Sequence, residues 1–309
     1  MTRPLARYST VLKFRLLRFV VPIGLLLSLT ACSKHDDDGG SGPGTPPSPP
    51  APSAPVVYTA LGASDAMGVG GSVPCLPFTD CSGGTGYVPR VARQLEADGH
   101  ATTLRNFGIP GAVLSPSIQD VGNQVGLGIA ANLLMQEAPF VPTDATLVTI
   151  FTGANDANTV GTAIDRGAAG STDPNAFIDQ YIQTFATDFT SLVRTVRQRA
   201  PNARIIVLNL PNLSGLPYMT GRSLRDRRWI QRLSVGFSTA GANAQTQNGA
   251  IVLDFMCDAR SYQAGNYSSD GFHPDDSGYA FIADVILQAV HASSWPAPAS
   301  SCSQMTLVN

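Results

Sequence analysis

Five short apolar runs dominate the chain: Val56–Leu61, Thr102–Phe107, Ala145–Phe151, Arg204–Leu210 and Ala250–Phe255. Each is rich in residues that favour strands, and helical patterns recur between them. Val88–Ala97 reads as a helix stopped by Gly99. Asp173-Pro174 opens another with a capping carboxylate and a proline at the first helical position. In it Ile178, Tyr181, Ile182, Phe185, Phe189, Leu192, Val193 and Val196 keep helical spacing along one face, which marks a core stripe. A weakly helical, arginine-bearing segment, Arg222–Gln247, reads as a solvated face, and Ile282, Val285, Ile286, Ala289 and Val290 define a last helix. Strands alternating with helices predict an α/β fold, and the run at 145–151 has the two-sided apolarity of a central strand. From Val56 onward about 250 residues remain, which suits one domain.

The first 55 residues have a different character. Arg3, Arg7, Lys13, Arg15 and Arg18 precede an apolar run from Phe19 to Leu29, too short to span a bilayer comfortably and typical of a signal peptide. It ends Leu29-Thr30-Ala31-Cys32, which resembles a bacterial lipobox. That resemblance implies a signal over 1–31, lipid on Cys32, and a membrane-anchored envelope protein, in the outer membrane if the source is Gram-negative; an ordinary secretory signal would give a secreted protein instead. Ser33–Pro55 reads as a linker, since Asp36-Asp37-Asp38 and the Pro, Ala, Gly and Ser that follow cannot bury a core. The domain is then 56–309.

Charge and cysteines narrow the function classes. Without the five basic residues of the signal, 15 basic residues face 22 acidic ones, which does not fit a nucleic-acid binder. With Cys32 set aside, Cys75, Cys81, Cys257 and Cys302 form an even set, expected as disulfides in an exported protein. Three pairings are open; the local one gives Cys75–Cys81 and Cys257–Cys302. No CxxC spacing occurs, so no metal site is expected.

Chemistry-bearing residues fall where the strands end. Ser64 follows the first run, between Gly62 and the glycines 68, 70 and 71. In an open α/β sheet this crevice is where ligands bind, although serine is also a common helix cap. Asn155 follows the third run, and Asp156 reads as a cap or turn residue. Of the four histidines, His273 alone has an acidic residue, Asp270, three positions before it at a loop–helix junction. Such a carboxylate can bond Nδ1–H and leave Nε2 as a base. Asp275 and Asp276 lie in the first turn of the last helix, where negative charge suits the dipole.

Four blocks in order, Gly62-Ala63-Ser64-Asp65, Pro110-Gly111-Ala112, Gly153-Ala154-Asn155-Asp156 and Asp270-Gly271-Phe272-His273, resemble the SGNH/GDSL hydrolase superfamily. The first departs from the usual Gly-Asp-Ser-Leu at Ala63 and Asp65. No Gly-x-Ser-x-Gly occurs, which sets aside the α/β-hydrolase elbow. The resemblance implies a flavodoxin-like three-layer α/β/α sandwich with a five-stranded parallel sheet. It further implies Ser64 as nucleophile, His273 as base, Asp270 as its partner, and an oxyanion hole of Ser64, Gly111 and Asn155. Ester hydrolysis without cofactor or metal follows, by a chain expected to be monomeric, on lipid, short-chain acyl or polysaccharide O-acetyl esters. Acyl transfer to envelope glycans, or a decayed and purely binding site, are the alternatives.

Overall fold

A computed structural model describes residues 44–309 apart from 77, 78 and 80. The expected signal, the lipobox and Cys32 lie outside the described residues. The five strands are β1 (Val56–Gly62), β2 (Thr102–Asn106), β3 (Leu147–Phe151), β4 (Arg204–Leu208) and β5 (Ile251–Leu253). All pair in parallel, in the order β2-β1-β3-β4-β5. The order reverses at β1, the kind of switch point where parallel sheets open a crevice at their carboxyl ends.

Two apolar layers cover the sheet, and the strand period of two decides which residue serves which. Tyr58 and Ala60 of β1 and Ile206 and Leu208 of β4 join one cluster, with α1 (Tyr87–Ala97) and α7 (Asp276–His291). Leu61, Ile205 and Val207 join the other, beneath α2 (Pro116–Gln124), α4 (Ala154–Asp165), α5 (Pro174–Arg199) and α6 (Leu224–Gly236). A short α3 (Leu133–Gln136) precedes β3. The three-layer α/β/α architecture is the expected one. A sheet covered on both faces needs strands that are apolar throughout, and all five residues of β4 are buried.

The long α5 forms as its sequence dictates. The Asp173 carboxylate accepts hydrogen bonds from the amides of Asn175 and Ala176, Pro174 follows, and the stripe from Ile178 to Val196 is buried except at Ile182, which stays half-covered. Strand ends are shorter than the apolar runs, because pairing stops before hydrophobicity does: β4 ends at Leu208 and β5 at Leu253. The Arg222–Gln247 segment is α6 followed by π-helical and 3₁₀ turns, and its arginines pair at the surface, Arg225 with Asp165 and Arg232 with Asp179.

Part of the expected linker is held against the domain. Arg204, buried at the start of β4, donates to the Pro47 carbonyl, and His100 Nδ1 meets the Ala54 carbonyl at 2.8 Å. Both local disulfides form, Cys75–Cys81 and Cys257–Cys302, closing loops that constrain the unfolded chain by about 2 and about 4 kcal/mol. They fit an exported protein. Among the described residues no helix is long and apolar enough to cross a membrane.

Candidate active site

β1 ends at Gly62 and the chain turns sharply, so that Ser64 sits just past the carboxyl edge of the sheet. Its carbonyl accepts the amides of Met67 and Val69, which closes the turn from the inside. On the far side of the crevice the segment before α7 folds back on itself. Asp270 Oδ1 accepts the amides of Phe272 and His273, at 2.8 and 2.9 Å, and the Ser268 hydroxyl. Its Oδ2 is left for His273 Nδ1, at 2.6 Å. His273 Nε2 then lies 2.9 Å from Ser64 Oγ.

Protonation follows from the partners. An ionised carboxylate only accepts, so Nδ1 carries the imidazole proton and Nε2 is free to accept the serine O–H. Burial pushes the Asp270 carboxyl up, but the hydrogen bonds from His273, from two amides and from Ser268 outweigh it and hold it well below the usual carboxylate range. Asp270 therefore stays charged throughout ordinary pH. Gly70 packs on the back of the histidine: a Cβ there would lie 2.7 Å from His273 Cβ and 2.6 Å from the Pro274 carbonyl, so no larger residue fits.

Asp275 and Asp276, the nearest competing carboxylates, are occupied elsewhere. Asp275 caps α7, accepting the amides of Ser277 and Gly278. Asp276 crosses to the glycine-rich loop and accepts the amide and the hydroxyl of Ser72, at 2.8 and 2.6 Å. Its task is to tie that loop to α7, beyond the dipole contact its position implies.

The expected oxyanion-hole residues lie on three segments. Ser64 N–H and Gly111 N–H donate to no described residue. Gly111 has φ of +78°, a backbone angle that favours glycine, and a Cβ there would meet nothing within 4 Å. Asn155 is not at the strand end. β3 stops at Phe151, the chain turns through Gly153, and Asn155 lies in the first turn of α4. One hydrogen of its amide goes to the Ala112 carbonyl at 2.9 Å. The other donates to no described residue. Asn155 lines a small cavity with Ala63, Asp65 and Ala112, the neighbours of Ser64 and Gly111.

Two buried carboxyls beneath this site escape sequence reasoning. Asp156, read as a cap or turn residue, is fully buried, and its Oδ1 accepts the Leu114 amide at 2.7 Å. It thereby ties the Gly111–Leu114 segment to α4. Burial pushes this carboxyl up to about 7, against the opposing pull of the Leu114 amide and of the Asp156 and Gly153 amides. Glu137, just after α3, reaches under the end of β1 and accepts the Gly62 amide at 2.9 Å. Burial raises its carboxyl well above the usual range, against the opposing pull of the Gly62 amide. No local pattern announces either role. An acidic residue in a strongly apolar neighbourhood, as at Glu137-Ala138, is the one available hint.

A serine hydroxyl, hydrogen-bonded in series to an imidazole and a carboxylate, thus stands at the carboxyl edge of a parallel sheet. Residues 60–281 match the model of the GDSL-like Lipase/Acylhydrolase family, and the chain belongs to that family, whose members are carboxylic ester hydrolases. No curated protein sequence matches it. Among solved structures, the extracellular lipase of Streptomyces rimosus is similar at 20% identity, over 76% of this chain and 99% of that one, with a TM-score of 0.50. The lipase Lip_vut3 from a goat rumen metagenome is similar at 19% identity, over 76% and 97%, with a TM-score of 0.51. At such identities these likenesses concern the fold.

Proposed function

We propose that the chain hydrolyses carboxylic esters through a Ser64–His273–Asp270 triad and an acyl-enzyme. The observation that carries this reading is the unbroken series Ser64 Oγ, His273 Nε2, His273 Nδ1, Asp270 Oδ2, at 2.9 and 2.6 Å, between residues 209 positions apart. Ser64 Oγ attacks the ester carbonyl as its proton passes to His273 Nε2. Asp270 stabilises the imidazolium that forms. The carbonyl oxygen becomes an oxyanion facing the amides of Ser64 and Gly111 and the free hydrogen of Asn155 Nδ2. Each such donor contributes roughly 3 kcal/mol in the tetrahedral state. Collapse expels the alcohol, which takes the proton from His273. Water, deprotonated by the same imidazole, then releases the acid.

Hydrolysis of p-nitrophenyl acetate by the 44–309 unit tests this. Ser64→Ala should lower kcat by roughly four to six orders of magnitude. Turnover that survives the substitution would place the chemistry elsewhere. The Leu29-Thr30-Ala31-Cys32 motif supports a lipid anchor on an exported enzyme. Cys32→Ser in the full chain should then move the protein from the membrane fraction to the soluble one with ester hydrolysis intact; a wild type already soluble after export would rule the anchor out.

A further inference from the structure

Ser64 is followed by Asp65, where the family usually has leucine. The Asp65 side chain is not part of the triad or of the oxyanion hole. It lines both the small cavity under Asn155 and a larger pocket beside it. The walls of that pocket are aromatic, with Phe151, Phe255, Tyr267, Phe272 and Phe281 among them. No other described residue donates a hydrogen bond to the Asp65 carboxylate, and no cation pairs with it.

One other charged group lines the pocket, and its charge is already matched. Arg260 holds both oxygens of Asp258, at 2.6 to 3.1 Å, and its guanidinium lies 4.5 Å over the Phe281 ring. Asp65 is thus the unmatched charge of the lining among the described residues. Burial raises its carboxyl, the nearby His273 lowers it, and the charge of Asp270 raises it further. Asp65 is half-buried, and a cation entering the pocket would meet a carboxylate that no other described residue has paired. Aromatic walls with one carboxylate are the surroundings that attract an alkylammonium group, because ring faces are negative and the cation carries its own apolar methyls.

We propose that this pocket selects esters whose alcohol carries an alkylammonium group, of the choline-ester type, with Asp65 as the counter-charge. The inference rests on Ser64 being the nucleophile. Asp65 follows Ser64 in the chain, and Phe272 and Pro274, on either side of His273, line the same pocket, so the pocket borders the triad. In a choline ester the nitrogen stands only two carbons from the ester oxygen, a span that suits a pocket bordering the nucleophile. A hydroxyl substituent would fit the carboxylate but not the rings, and a plain alkyl chain would fit the rings but leave the charge unmatched.

The discriminating pair is acetylcholine and its uncharged isostere, 3,3-dimethylbutyl acetate. Wild type should favour acetylcholine by roughly tenfold or more in kcat/KM, the worth of a desolvated cation–π and charge contact. Asp65→Asn and Asp65→Leu should each bring the ratio close to one. Tetramethylammonium should inhibit p-nitrophenyl acetate hydrolysis by wild type competitively, which needs no variant to fold. Equal or better turnover of the neutral ester by wild type, a preference that survives Asp65→Asn, or no competition by tetramethylammonium overturns the proposal while leaving ester hydrolysis standing. Absence of turnover with p-nitrophenyl acetate as well would overturn the hydrolase reading itself, and this inference with it.

Discussion

Replacing Asp156 by asparagine should make the protein more stable above neutrality and change its pH dependence in a calculable way. The carboxyl is fully buried, with Oδ1 on the Leu114 amide and no partner for Oδ2. Burial raises it from 3.8 to about 7. Between those values the folded protein holds a proton that the unfolded chain has released. Stability therefore falls as pH rises through this window, and levels off above about 7. A shift of some three units corresponds to about 4 kcal/mol as an upper bound. The amide of an asparagine at this position would keep an oxygen for Leu114 and carry no charge, so the penalty disappears. The assay is thermal unfolding of wild type and Asp156→Asn at intervals from pH 4.5 to 8.5. For a domain of this size each kcal/mol is worth about 2–4 °C. The variant should gain several degrees on wild type between pH 5 and pH 8, with the two closest at the acid end. A difference in melting temperature that does not change with pH would refute the reasoning, because it would mean that Asp156 holds the same charge in both states.

Asn155→Ala should reduce kcat by roughly a hundred- to a thousand-fold and leave KM within a few-fold, since the donor acts on the oxyanion rather than on the ground-state carbonyl; steady-state kinetics showing the loss in KM instead would make Asn155 a binding group, and a loss of melting temperature alone would make its bond to Ala112 its whole role. Asp270→Ala should lower the rate by orders of magnitude, whereas Asp275→Ala should remove a helix cap, cost about 1 kcal/mol of stability and leave kcat nearly unchanged; the reverse ranking would reassign the partner of His273.

Much of the architecture is legible in the chain because its causes are local. An α5 stripe at helical spacing, a capping Asp173 before Pro174, and strands that are apolar on both faces follow from periodicity and from the backbone groups nearest in sequence. The Asp270–His273 contact belongs to the same kind, because a separation of three residues in one turn lets the carboxylate reach the imidazole. Between Ala112 and Ala145 the local signals are short ones, Ser115-Pro116 before α2 and Asn132 before α3, and nothing local points Glu137 at Gly62. Asn155 reads as a strand-end residue because the apolar run before it gives no sign that α4 begins so soon after β3.

Everything that converges on the serine was decided by tertiary structure. The bond from His273 to Ser64 joins residues 209 positions apart, that from Glu137 to Gly62 spans 75, and those from Asp156 to Leu114 and Asn155 to Ala112 span 42 and 43. Residue types alone set none of these pairings. They arise because parallel strands carry all their carboxyl ends to one edge, so that loops distant in sequence share one crevice. Sequence by itself determined that there is a serine, a histidine, an asparagine and several acids at strand or helix ends. Packing decided which acid stays charged beside His273, which are driven towards neutrality under the backbone, and which one, Asp65, is left facing an aromatic pocket without a partner. The physical reason is desolvation: the same carboxyl group is a charge, an acid or a binding site according to how much water and how many donors the folded chain leaves around it.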